Sequence, residues 1–321
     1  MRLVIASQKH IGKKLAYPIR TNKGLIFMPQ GRELTASIIT RIRNLGITYI
    51  YIEEKFSDEV VIELIFEDPI KLEILNNLSS FYSSIKKNGI INERLLTQTI
   101  RMIIENINLN ENAILYKEPS KDEIEQLSLH SLEVAIYCIS ISKNRRIRFQ
   151  DIENITSSAL LHDIGKLKDA QKPHLEIALD LIKNNATFSP MVYVPILHIH
   201  EKIDGTGSYK VTGTKLHPHS QILHIANNYS NLIDKVTDIN QRIEMMNMEA
   251  SSRYDLNLFK QAMEVLYCYP NGLMVELTNS EQGLVCRQNI GFPSRPIIIS
   301  NEGKIIDLMK EPTLFIKEII D

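Results

Sequence analysis

Cysteine is scarce. Cys138, Cys268 and Cys286 are the only three in 321 residues, an odd number at wide spacings that matches neither a disulfide framework nor a zinc-ligand pattern. They read as buried, reduced thiols, the expectation for a cytoplasmic protein. Long apolar runs are missing too: none approaches the ~20 residues needed to cross a bilayer. The opening MRLVIASQKH has no apolar stretch of signal-peptide length, so neither a membrane partner nor export is expected. Nor does either sign of charge dominate. With 37 Lys and Arg against 38 Asp and Glu, the broad attraction of a general nucleic-acid binder is absent. Hydrophobic residues at 44% and charged residues at 23% are ordinary globular usage, which excludes disordered and fibrous classes. The length suggests about two domains.

The chain changes texture along its length. Residues 1–55 read as a small α+β module: Gly24–Met28 as a strand closed by Pro29-Gln30-Gly31, then a helix with Ile38, Ile39, Ile42 and Leu45 on one stripe. Thr35 is its predicted cap, Gly46 its C-terminal stop, and Ile47–Ile52 a second strand. No ionisable cluster occurs there, so the module suits a protein contact or regulation. Residues 56–120 read as a helical connecting region, with Asn108–Pro119 as the linker candidate. Residues 121–270 carry the main run of helices. Those predicted across the two regions are Ile70–Lys87, Asn92–Ile107, Lys121–Ser142, Phe149–Asp163, Pro173–Asn184, Val192–Glu201, His219–Asp234, Ile239–Ala250 and Leu256–Tyr267. Residues 271–321 form a β-hairpin tail expected to pack on the helical domain. In it, Leu273–Leu277 and Leu284–Gln288 flank a turn, and Arg295–Ile299 is a further strand.

Histidine is the residue to follow. His130 shares a helical stripe with Leu127, Val134 and Ile141; His162, with Asp163 beside it, follows Ile155 and Ala159. His174 precedes Ile177, Ala178 and Leu181, and His200 follows Tyr193, Ile196 and Leu197. Such spacings turn all four rings inward from separate helices. Singly, each is an ordinary hydrogen-bonded core histidine. Jointly, four imidazoles and a carboxylate in one bundle are costly to bury unless something pairs and neutralises them. A divalent metal does both, and imidazole with carboxylate suits iron, manganese or zinc.

Leu160-Leu161-His162-Asp163-Ile164-Gly165-Lys166 resembles the signature of the HD superfamily of metal-dependent phosphohydrolases. His200-Glu201-Lys202-Ile203-Asp204-Gly205-Thr206-Gly207 resembles the further signature of its HD-GYP branch. The resemblance implies a mainly α fold, an HD-type helical bundle with the N-terminal α+β module and the β-hairpin tail. It also implies one or two divalent ions, iron or manganese, and hydrolysis of a cyclic dinucleotide such as cyclic di-GMP or another phosphate ester. Matched by order, His130, His162, Asp163, His174 and His200 are the implied metal ligands. Asp163 and Lys166 are the implied catalytic residues, and Lys166, Asp204, Gly205 and Gly207 the implied substrate contacts. A homodimer is left open.

The departures are specific. Ile199 stands where the branch has the first of two adjacent histidines, and Asn227 where it has an aspartate ligand. Gly207-Ser208-Tyr209 replaces glycine-tyrosine-proline, Gln126 replaces a glutamate, and the segment from Lys166 to His174 is short. His198 lies ~200° around a regular helix from His200, so it can compensate only if the helix ends or kinks there. His224, three residues before Asn227, can reach the same face, and Asn227 keeps a carbonyl oxygen. Glu201 is expected to orient His200. His217 and His219, flanking Pro218, are expected in an exposed loop. Two alternatives therefore stand beside the phosphodiesterase reading. One is a catalytically weak or inactive domain that binds a nucleotide or a protein. The other is an HD phosphohydrolase with a different nucleotide substrate.

Overall fold

The computed structural model describes residues 1–20, 26–45, 47, 49–54, 60, 63–110, 113–114, 122–168, 172–185, 188–236, 239–266 and 269–320. Gly24, Leu25, Gly46, Cys268 and most of the Asn108–Pro119 linker lie outside the described residues. The chain divides into two compact units. The first is Met1–Leu72, Asn108–Lys121 and Tyr267–Asp321; the second is Glu73–Ile107 and Asp122–Leu266.

The N-terminal part of the first unit supplies β1 (Arg2–Ile5), β2 (Ile19–Arg20), β3 (Ile26–Met28), α1 (Ala36–Asn44) and β4 (Tyr49–Ile52). β1 pairs antiparallel with β4, Val4 opposite Ile50, and β2 pairs with β3. Thr35 Oγ1 accepts from the Ile38 amide as the helix cap. Ile38, Ile39 and Ile42 then bury into one cluster with Val4, Ile50 and Ile52. Leu45, expected on the same stripe, is the C-terminal cap of α1 and is exposed. β5 (Glu63–Leu64) and β6 (Ala113–Ile114) make a short parallel pair.

The C-terminal part of this unit is a five-stranded antiparallel sheet rather than a lone hairpin. Its strands are β7 (Met274–Leu277), β8 (Gln282–Arg287), β9 (Ile297–Ser300), β10 (Ile305–Asp307) and β11 (Ile316–Ile319), in the order β10-β9-β8-β7-β11. The predicted hairpin and following strand are β7, β8 and β9. The Leu3 amide donates to the Gly272 carbonyl at 2.7 Å, so the first and last segments of the chain meet inside one unit.

The second unit is helical: most of α2 (Asp68–Asn88), then α3 (Glu93–Asn106), α4 (Glu123–Asn144), α5 (Phe149–Leu161), α6 (His174–Asn185) and α7 (Pro190–Leu197). α8 (Pro218–Lys235), α9 (Ile239–Met248), α10 (Ala250–Arg253) and α11 (Leu256–Met263) complete it. Asp122 caps α4 by accepting from the Ile124 and Glu125 amides. α4 packs against α5 and α8, and α5 against α3 and α7. No described helix is long and apolar enough to cross a membrane.

Two departures from helical regularity decide where the histidines end up. α7, expected to run to Glu201, ends at Leu197. Pro195 has no N–H to give the helix, and the His198 amide closes the last turn onto the Val194 carbonyl. After α5 the chain makes a short 3-10 turn, Ile164–Leu167, and there the backbone passes the start of α6 with no room for a side chain. A Cβ on Gly165 would lie 1.8 Å from the His174 carbonyl oxygen.

Buried Tyr82 of α2 donates its hydroxyl to the Leu160 carbonyl at 2.8 Å, at the end of α5. Tyr82→Phe leaves the ring in place and deletes that bond. We expect a loss of about 1–2 kcal/mol in chemical denaturation, with the helical content by circular dichroism unchanged.

Candidate metal centre

Asp163 follows the end of α5 and is buried at 4% exposure. Its two carboxylate oxygens face different imidazoles. Oδ2 lies 3.7 Å from His130 Nε2 of α4 and 3.3 Å from His162 Nε2. Oδ1 lies 3.7 Å from Nε2 of His174, the first residue of α6. The Lys166 ammonium, from the 3-10 turn, reaches Oδ2 at 2.5 Å. Among the described residues, His130, His162 and Asp163 form the group able to hold an ion, with one ligand atom each, all within 4.8 Å of one another.

The hydrogen bond behind His162 decides what that ring offers. Its Nδ1 stands 2.8 Å from the Ala159 carbonyl; a carbonyl oxygen only accepts, so Nδ1 carries the proton. In the neutral ring Nε2 is then a bare lone pair. That nitrogen is buried without a hydrogen-bond partner, facing a carboxylate oxygen. Two acceptors in contact away from water are stable only with a cation between them, a proton or a metal ion. Two imidazole nitrogens and a carboxylate oxygen suit a divalent first-row ion, so the residues present fit the implied group.

Burial alone would raise the Asp163 pKa, but the adjacent His162 ring and Lys166 ammonium hold it well below the usual carboxylate range. Burial lowers the His174 pKa; Asp163 opposes the shift, and Lys166 and His162 add to it. For His200, burial and then neighbouring His174 lower the value. Neutral imidazoles are the form that binds metal.

His200 lies past the end of α7, not on it, and is exposed; its ring centroid is 6.4 Å from that of His174 and 6.5 Å from that of His224. His224 of α8 is 6% exposed and directs Nδ1–H at the Glu201 carbonyl at 3.2 Å, and burial pushes its pKa down to about 3. His198 does occupy a helix end, but its ring neighbours Tyr209 at 6.0 Å. Ile199 is buried. Asn227 is buried on α8, and its Oδ1 accepts from Asn231 Nδ2 at 3.1 Å.

Other expectations need correction. Glu201, expected to orient His200, is 1% exposed and accepts instead from the Tyr209 and Val211 amides, both at 2.9 Å. It fixes the loop that carries Asp204, Gly205 and Gly207. A Cβ on Gly207 would meet Glu201 Oε1 at 2.4 Å, so only glycine lets the loop close on the carboxylate. Asp204 is exposed and turns back to accept from the Thr206 amide and hydroxyl. His217 and His219 are not in an exposed loop. His217 caps α8, and His219, in its first turn, is 6% exposed.

Two groups around His130 had no place among the residues expected at the site, Ser230 and Glu133. Ser230 Oγ lies 3.1 Å from His130 Nδ1 and donates to Glu133 Oε2 at 2.6 Å; Tyr137 donates to Glu133 Oε1 at 3.1 Å. The available signal was a carboxylate three residues after His130, one turn along the same helix face.

Burial, reinforced by His217, holds the His219 pKa at about 4, below the unfolded value of about 6.5. The unfolded chain therefore takes up the proton first. Stability is complete above about pH 6.5 and drains as the pH falls toward 4. His219→Gln removes this residue's share of that slope, to which another buried histidine, His224, also contributes. Allowing for partial solvent screening, we expect the acid-induced loss over this range, followed by urea titration, to shrink by about 2 kcal/mol.

Residues 127–232 match the family model of the HD domain, a span that begins just before His130 and ends just after Ser230. The fold is also that of a solved structure, Bd1817, a HDG"Y"P protein from Bdellovibrio bacteriovorus. At 16% identity the superposition covers 82% of this chain and 99% of that one, with a TM-score of 0.52. No curated protein matches the chain by sequence. Residues 127–232 therefore carry an HD domain, and the chain has the fold of the Bdellovibrio HDG"Y"P protein.

Proposed function

We propose that this protein is a metal-dependent phosphohydrolase that opens a phosphodiester, with a cyclic dinucleotide such as cyclic di-GMP as its substrate. The observation that carries the reading is the convergence of His130 Nε2 and His162 Nε2 on one oxygen of buried Asp163. The other oxygen faces His174. A carboxylate divided in this way suits a bridging role. His130, His162 and Asp163 would hold one iron or manganese ion; His174 and, more loosely, His200 would offer a second, poorer position beside Asp163. Such ions supply an activated water and neutralise phosphate charge.

The remaining roles belong to side chains. Asp163 anchors the centre. The Lys166 side chain is 54% exposed, so its ammonium can leave Asp163 and meet a phosphate oxygen as a point charge. The loop of Asp204, Gly205 and Gly207, pinned by Glu201, would offer its backbone to the bound ester, with Asp204 released from Thr206 as it does so.

A second reading has its own support. Ile199 offers no ligand atom, and the Asn227 oxygen is already engaged by Asn231. Both favour a domain that binds a nucleotide or a protein partner with little turnover. Purified protein supplied with manganese or iron(II) and cyclic di-GMP separates the two. Linear dinucleotide product, absent in Asp163→Ala, supports the hydrolase; no product with either metal and less than one equivalent bound supports the binding module. The double variant Ile199→His, Asn227→Asp is expected to raise metal content by about one equivalent. Unchanged content would remove those two positions from the site.

A further inference from the structure

Behind His130, on the side away from Asp163, runs a chain of buried polar groups from α8 back to α4. His130 Nδ1 meets Ser230 Oγ at 3.1 Å, Ser230 meets Glu133 Oε2 at 2.6 Å, and Tyr137 meets Glu133 Oε1 at 3.1 Å. Ser230 is fully buried and Glu133 is 3% exposed. A serine hydroxyl has one proton and two lone pairs. A carboxylate offers only lone pairs, so the short contact to Glu133 uses the hydroxyl proton. Toward His130, Ser230 can then only accept.

We infer that Ser230 and Glu133 are positioning residues that lock His130 in the Nδ1–H tautomer, so that its Nε2 lone pair is the one presented to Asp163. His162 reaches the same state by another route, through the Ala159 carbonyl. The two rings lie 5.4 Å apart by centroid, and each has its tautomer set from the rear by an acceptor. Reversing the serine proton would place N–H on the metal-facing side of His130 and remove a ligand without moving the ring. The inference rests on the metal-binding reading of the centre, but the tautomer itself is a property of the protein alone. Ligand histidines oriented by outer carboxylates or hydroxyls lose 10–100-fold in metal affinity when that support is removed.

The test uses the full chain labelled with nitrogen-15 on histidine, with His130 assigned from a His130→Asn sample. At neutral pH, without metal, the wild-type His130 resonances are expected to show protonated Nδ1 and bare Nε2. Ser230→Ala is expected to mix the tautomers and to weaken Mn(II) binding by titration calorimetry 10–100-fold, and, because Glu133 loses a buried donor, to lower the melting temperature by a few degrees. Ser230→Thr, which keeps the hydroxyl, restores both; should threonine prove too large, Glu133→Gln, whose amide can donate to Ser230, replaces it and is expected to mix the tautomers as well. Protonated Nε2 in the wild type, or a Ser230→Ala protein with unaltered tautomer and affinity, overturns the inference. Wild-type protein that binds no Mn(II) but shows bare Nε2 overturns the metal reading and leaves the positioning role standing.

Discussion

Asp163 sets the terms for everything around it. A carboxylate at 4% exposure has given up most of its hydration, and the return must come from partners brought to it by the chain. They come from separate places: His130 from the middle of α4, His162 from the end of α5, Lys166 from the 3-10 turn and His174 from the start of α6. Only the packing of those segments puts the four groups around one carboxylate. The helical unit is thus tied to a small polar centre, and its core packing serves to hold helix ends at fixed distances.

The backbone contributes as much as the side chains. The Ala159 carbonyl selects the His162 tautomer, and the bare Gly165 backbone lets the turn after α5 touch the start of α6. These are constraints on main-chain paths, less easily tuned by substitution than a contact between two side chains. Desolvation lowers the pKa of His174, His200 and His224, which favours the neutral form. The same desolvation that makes the pocket costly thus keeps its nitrogen lone pairs available.

Much of this was legible in the amino-acid sequence, for a definite reason. Residues such as Leu96, Ile100, Ile103 and Ile104 are buried on one helix face, and a 3.6-residue period reports that directly. The three side chains that come together as a possible metal site were identifiable because His130, His162 and Asp163 lie on or directly after such faces. What periodicity could not show is where a helix stops for local reasons. Pro195 and the closing turn at His198 take Ile199 and His200 out of helical phase, so arguments about angle around α7 fail beyond Leu197. The strands β10 and β11 were missed because they are short sheet edges with one buried residue each, too little alternation to read. The partner of His130 was missed because Ser230 lies on another helix, and nothing in a linear spacing links the two.

Glu201 grips the loop after α7 through two main-chain amides, those of Tyr209 and Val211. The path of that loop is therefore written into its peptide groups and into Gly207, not into the chemistry displayed along its rim. Shape and surface are uncoupled there: the outward residues can be exchanged for others of different size or charge while the arch itself keeps its course. A loop held in this way keeps its main-chain course while the residues it displays are free to vary.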